Sequence, residues 1–130
     1  MKKVIGAGVL LQSVSGTYLF QERDHNTSIN PGRVTAFGGG IESGESIYEC
    51  AKRELYEELE LSLDIGELES IGLFESDFED GIYIHMFVAK EIDGSKLVLH
   101  EGESIVELSL EEALGHEKVT DFTKDVLRTL

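Results

Sequence analysis

The chain has 130 residues, 41% of them hydrophobic and 28% charged with a single proline, a composition that supplies one core and excludes bulk disorder. A formal net charge of -15 argues against polymeric nucleic acid and anionic membranes as partners, since both recruit clustered Lys and Arg. No run approaches the roughly 20 consecutive apolar residues of a spanning helix and no signal-peptide core opens the chain, so a cytoplasmic protein is expected.

Residues 3–11 and 17–21, rich in Val, Leu, Ile and aromatics, predict two strands joined by the turn Ser13-Val14-Ser15-Gly16. The polar stretch 22–33 contains Asn30-Pro31-Gly32 and reads as a loop long enough to be functional. Residues 34–37 form a short strand, Gly38-Gly39-Gly40 and Ser43-Gly44 bracket a tight loop, and residues 46–60 are periodic as a helix is. A second strand pair, 68–78 and 81–92, surrounds Glu79-Asp80-Gly81. Short strands at 97–99 and 105–108 and short helices at 110–114 and 122–130 complete the chain. Strands outnumber the interspersed helices, which predicts one domain over residues 1–130, α+β in class, with a mixed sheet in an α/β/α sandwich.

Acid is concentrated toward the carboxyl side. Residues 1–40 carry Lys2, Lys3, Arg23 and Arg33 against Glu22 and Asp24, a balance of +2 that leaves -17 on the rest. At about 100° per residue, Ile47, Cys50, Ala51 and Leu55 make one apolar stripe; Glu54 and Glu58 fall on it and Glu57 on its flank. Glu54 and Glu58 repel at i, i+4 by about 0.2–0.5 kcal/mol, anions near a helix C-terminus oppose its dipole by about 0.3–1 kcal/mol, and desolvation adds to both. Either the three carboxylates point into water and tolerate one another, or a cation compensates. Arg53 can pair with one of them, and hard oxygen ligands gathered at one spot suit Mg²⁺, with Mn²⁺ as a substitute. The lone Cys50, inside the apolar stripe, reads as a core residue rather than a nucleophile.

The stretch Gly39-Gly40-Ile41-Glu42-Ser43-Gly44-Glu45, seven further residues, then Arg53-Glu54-Leu55-Tyr56-Glu57-Glu58-Leu59-Glu60-Leu61 resembles the Nudix box, G-x5-E-x7-R-E-U-x-E-E-x-G-U with U a bulky aliphatic. It departs at one defined position, where the glycine that ends the family's catalytic helix is Glu60; an extended helix or a strained cap should result. The resemblance implies a Nudix α/β/α sandwich over the whole chain. It assigns Glu54, Glu57 and Glu58 to the metal, the Gly39 carbonyl as a further ligand, and Glu45 with Arg53 as the pair that orients the helix. His100-Glu101-Gly102-Glu103 is similar to the acid-glycine segment that MutT-like members place beside the metals. Glu101 is therefore the first choice for an extra ligand or general base and Glu103 the second, with an exposed acidic loop as the plain alternative. His100 and His85 are weaker candidates for the base, and His85 alternates with Ile84 and Met86 on a strand, facing cleft or core. Arg23 and Arg33 are candidates for phosphate contact, Arg23 first, beside a backbone wall of Gly38, Gly39 and Gly40, with solvated surface arginines as the plain alternative.

The activity implied by the resemblance is metal-assisted hydrolysis of a nucleoside diphosphate linked to a group X, in a monomer or homodimer acting on a small nucleotide. (Deoxy)nucleoside triphosphates lead among substrates, and ADP-ribose or another nucleoside diphosphate sugar is the alternative. A non-catalytic nucleotide sensor is the competing class; retention of every acid of the box speaks for the enzyme.

Overall fold

Residues 6 to 11 are buried on both faces, and a strand with no solvent-facing side belongs in the middle of a sheet. The computed structural model, which describes residues 2–130 and leaves Met1 of the expected domain outside, places it there. β1 (Lys3–Ser13) runs parallel to β6 (Ile82–Ile92). Its other edge pairs antiparallel with β4 (Phe37–Gly40) and then β2 (Tyr18–Glu22). β2 continues outward to β3 (Val34–Thr35) and β7 (Ser104–Leu108), while β5 (Glu69–Glu75) pairs with β6 at the opposite side. The sheet is mixed, as expected.

Side chains alternate across this sheet and seed two cores. Ala7, Val9, Leu11, Phe87 and Ala89 point to one face and pack on Cys50, Ala51, Leu55 and Leu59 of α1 (Ile47–Leu59). Leu10, Phe20, Met86 and Val88 point to the other and pack on Ala113 of α2 (Leu110–Gly115) and Val126 and Leu127 of α3 (Asp121–Leu127). The result is the α/β/α sandwich, with Cys50 fully buried in the α1-side core and its thiol pushed up to about 11 by that burial. Among the described residues no helix is long and apolar enough to cross a membrane.

Three expectations are corrected. The glycine run is strand, not loop: Gly38, Gly39 and Gly40 pair with Gly8, Ala7 and Gly6. Glycine is needed because the backbones approach so closely that a Cβ at Gly38 would sit 2.1 Å from the Ala7 carbonyl oxygen. Residues 97–99 are extended but join no strand; the Leu97 N–H donates to Gly94 O and the Val98 N–H to the Leu59 carbonyl at the end of α1. β5 stops at Glu75, because Ser76 turns to bond Glu79 through its hydroxyl. The opposing wall of the glycine strand yields a prediction. A Cβ at Gly6 would lie 2.3 Å from the Gly39 carbonyl oxygen, so Gly6→Ala must push β4 away, and urea denaturation should show a loss of about 1–3 kcal/mol. A variant as stable as the parent would mean that β4 yields freely.

The helix that β4 faces is delimited at both ends. Ser46 caps it reciprocally with Glu49: the Glu49 N–H donates to Ser46 Oγ at 3.1 Å and the Ser46 N–H to Glu49 Oε1 at 2.8 Å. At the other end Glu60 adopts φ 54, ψ 30, the left-handed conformation that costs a side-chain-bearing residue about 1–2 kcal/mol. The Glu60 N–H donates to Tyr56 O at 2.9 Å and the Leu61 N–H to Leu55 O at 3.4 Å, the bonding of a glycine-type cap. The strained cap is realised and the helix is not extended. The terminal carbonyls of Glu58 and Leu59 accept from His100 N–H at 2.8 Å and Val98 N–H at 3.0 Å, which brings the segment 97–103 against the helix end.

Candidate active site

The last two turns of α1 carry Glu54 and Glu58 on the face that meets β4, where their own helix period puts them. Together with Glu101 they bring one carboxylate oxygen each to within 4.8 Å of the others. Glu58 is 1% exposed, and its Oε1 accepts from the Gly38 N–H at 3.0 Å. Burial raises its pKa to about 8, with the charges of Glu54 and Glu101 adding to the effect. Burial likewise raises Glu54, against the Arg53 guanidinium that holds it down. A Cβ at Gly39 would stand 2.5 Å from the Glu54 carboxyl carbon, so glycine there leaves the acid its room. Three converging hard oxygen donors, one buried with no cationic side chain bonded to it, are what a divalent cation fits.

The pKa of Glu58 has a linkage consequence. A carboxyl that titrates near 4.5 unfolded and about 8 folded keeps a proton in the native chain that the unfolded chain has already lost. Stability of the metal-free protein should therefore fall as pH rises from about 5 to about 8. Melting curves in a chelator check this. Isothermal titration at pH 7 in buffers of different ionisation enthalpy should also register proton release on cation binding, because the cation displaces that proton. A pH-independent melting point with no proton release would contradict the assignment.

Glu57 stands at the flank of this trio rather than in it, its side chain 55% exposed and its Oε1 accepting from Arg53 Nη1 at 2.9 Å. Arg53 does more than pair with a single acid. Its Nη1 also donates to Glu54 Oε1 at 2.9 Å, its Nε to Glu45 Oε2 at 2.7 Å, and its Nη2 to Glu45 Oε1 at 3.0 Å and to the Gly40 carbonyl at 2.9 Å. Glu45 folds back along the helix to reach it, as the eight-residue separation requires, and the fork holds its carboxyl at about 2.

Glu101 joins the trio because its segment is held on two sides. Besides the helix carbonyls, the buried Gln21 donates from Nε2 to the Glu101 carbonyl at 3.1 Å, and Glu103 N–H donates to Glu22 O at 2.8 Å. Glu103 itself stands apart from the trio and pairs with His25 Nδ1 at 3.1 Å. The Gly39 carbonyl, expected to be a ligand, accepts the Cys50 thiol at 3.6 Å.

Across the glycine strand from the acids, on the α3 side of the sheet, lies a cavity of about 380 Å³ lined by Gly38, Gly39, Gly40, Arg23, Asn30, Phe78, Met86 and Phe122. Arg23 reaches it while donating from Nε to Ile29 O at 2.8 Å and from Nη2 to Thr27 Oγ1 at 3.1 Å. Arg33 does not reach it: its Nε and Nη2 donate to the carbonyls of Lys118 and Val119 at 2.9 and 3.4 Å, so it fastens the 22–33 loop to the α2-to-α3 connection. His85 also lies elsewhere. It stacks on Phe87 at 4.5 Å between centroids on the α1 face, with Nε2 bonded to Ser70 Oγ at 2.8 Å and its pKa lowered by burial. The cavity takes its strand neighbours Ile84 and Met86 instead.

The Nudix domain family model matches residues 2–130, the whole described chain. The chain belongs to the Nudix family. Over 74 residues it is 36% identical to an m7GpppN-mRNA hydrolase NUDT17 of Xenopus laevis, an alignment covering 57% of this chain and 25% of that protein. Over 67 residues it is 37% identical to an oxidized purine nucleoside triphosphate hydrolase of Mus musculus, covering 49% of this chain and 42% of that one. The matched segments thus span less than half the length of these curated relatives. Among solved structures, a MutT protein from Methanosarcina mazei Go1 superposes with a TM-score of 0.85 at 23% identity, covering 98% of this chain and 92% of its own. A MutT Nudix hydrolase from Burkholderia pseudomallei does so at 0.81 and 17%, covering 100% and 98%. At those identities the structural likeness speaks for the fold.

Gln21, Phe78 and Met86 escaped the sequence reading of this Nudix site. Gln21 carried a signal: it is the polar residue ending the apolar run Tyr18-Leu19-Phe20, and a buried amide must bond something. Phe78, at the cavity mouth and 58% exposed, gave none beyond being aromatic in an acidic loop.

Proposed function

We propose that this Nudix chain is a Mg²⁺-dependent pyrophosphohydrolase that cleaves a phosphoanhydride bond of a nucleoside diphosphate linked to X, with (deoxy)nucleoside triphosphates as the leading substrates. The observation that carries the reading is the convergence of Glu54, Glu58 and Glu101 on the glycine strand, whose Gly38 and Gly39 also wall the cavity on the other side. Those three acids, with Glu57 at their flank, would hold the cation. When bound, it would neutralise phosphate charge and lower the pKa of a coordinated water. Arg53 and Glu45 lock the helix to its preceding loop and set the spacing of the ligands. Glu101 is our choice for the carboxylate that takes the proton of an attacking water, supported by its being the most exposed of the trio. Arg23 supplies a positive charge at the cavity wall for the phosphates, and Phe78 and Phe122 offer ring faces for a base.

Triphosphates lead because the mouse relative carries that activity in its name and because a -15 chain with no basic stripe is poorly suited to the polymeric RNA named for the other relative. The test is a phosphate- and pyrophosphate-release screen over nucleoside triphosphates, ADP-ribose, other nucleoside diphosphate sugars and a cap dinucleotide, each with Mg²⁺ or Mn²⁺. Turnover of triphosphates to monophosphate and pyrophosphate is expected. Preference for a nucleotide sugar or for the cap dinucleotide would replace the substrate class, and nucleotide binding without turnover of anything in the panel would favour a sensor.

A further inference from the structure

Glu60 is the one position where the family's box is broken, and it is also one of only three non-glycine residues among those described to hold a positive φ. A glycine would relieve that conformation, yet the glutamate side chain has a use: its Oε2 meets His100 Nε2 at 2.5 Å. We infer that Glu60 is a positioning residue that, through His100, holds the Glu101 carboxylate against Glu54 and Glu58. The inference rests on the metal site just proposed and adds to it a residue that the box itself does not supply.

The segment bearing Glu101 is tied to the helix end by two backbone bonds, Val98 N–H to Leu59 O and His100 N–H to Glu58 O, and to β2 by Gln21 and Glu22. Backbone bonds fix where the segment runs, but a single N–H bond at His100 leaves the following peptide free to pivot, and Glu101 is the next residue. The His100 ring pinned by Glu60 removes that freedom on the helix side. On the strand side Gly102, at φ 89, turns the chain over Gln21, where a Cβ would lie 2.8 Å from Gln21 Cγ and from the Glu22 carbonyl oxygen. Glu101 is thereby fixed between two anchors, and only the helix-side anchor depends on a residue held in a disfavoured conformation.

The test separates position from stability. Metal-free wild type, Glu60→Gln, Glu60→Asn, Glu60→Gly, His100→Ala and the Glu60→Gly/His100→Ala double variant are titrated with Mn²⁺, free ion being followed by electron paramagnetic resonance, and melted in parallel. Asn and Gly tolerate the left-handed conformation but cannot reach His100, whereas Gln reaches it and keeps the strain. Mn²⁺ affinity should fall about tenfold in the Asn, Gly and His100→Ala proteins and stay within about threefold of wild type in the Gln protein. Melting temperature should order the other way, with Gly and Asn at or above wild type. The double variant should lose no more affinity than either single one. Affinity that is equal throughout, that follows melting temperature, or that drops additively in the double variant overturns the inference. A wild type that binds no Mn²⁺ overturns the metal reading together with it.

Discussion

Glu58→Gln should abolish most divalent-cation binding and lower nucleotide turnover by more than the roughly 100-fold typical of residues that act on a metal only through its ligands. The same substitution should raise the melting temperature of the metal-free protein at pH 8. The two effects have opposite signs for one reason. Glu58 is 1% exposed and faces Glu54 and Glu101, so its ionised form is costly without a counter-charge. The amide keeps an oxygen for the Gly38 N–H that Glu58 Oε1 accepts at 3.0 Å, while removing the charge. It should also flatten the fall of stability between pH 5 and 8. Calorimetric titration with Mg²⁺, steady-state kinetics and melting in a chelator measure the three consequences separately. Unchanged Mg²⁺ affinity would remove Glu58 from the ligand set, and a lower melting point would show that the buried acid is a structural hydrogen-bonding group whose charge is already compensated.

What could be seen in the residues beforehand divides by range. The helix, its stripe and the placement of Glu54 and Glu58 follow from a 3.6-residue period, a local property, and the box adds fixed spacing to it. The Glu45–Arg53 contact was legible for the same reason. What depends on long-range pairing was not. Gly38, Gly39 and Gly40 announce a close approach, but that the approach is a strand against Gly6 and Gly8 is decided by β1, some thirty residues earlier. Residues 97–99 have the alternation of a strand, and only the position of the helix end shows that the Val98 N–H goes to Leu59 O and that of the following His100 to Glu58 O. Arg33 sits near the glycines in sequence, yet its partners lie 85 and 86 residues later. Glu57 was expected to converge with its neighbours; the structure gives its oxygen to Arg53 and lets Glu101, from another part of the chain, complete the trio.

Arg53→Ala should cost one to two orders of magnitude in turnover, the range found when a partner behind the metal ligands is removed, and Arg53→Lys should restore little of it. The guanidinium is engaged through all three nitrogens, with Glu45 held by Nε and Nη2, the Gly40 carbonyl also by Nη2, and Glu54 and Glu57 by Nη1. A lysine ammonium is a point charge and cannot span Glu45 on one side and Glu54 on the other in one plane. Loss of the fork frees the Glu45 loop from the helix and removes the guanidinium that holds the Glu54 charge beside Glu58, so ligand geometry and ligand charge are disturbed together. The loss should be larger at low Mg²⁺ and shrink as Mg²⁺ is raised, because a cation in excess restores the charge balance but not the bidentate geometry. Kinetics across a Mg²⁺ series decide between the two contributions. A defect that vanishes at saturating Mg²⁺ would assign Arg53 to charge balance alone, a constant defect to geometry alone, and unchanged kcat and KM at every concentration would make it an ordinary surface arginine.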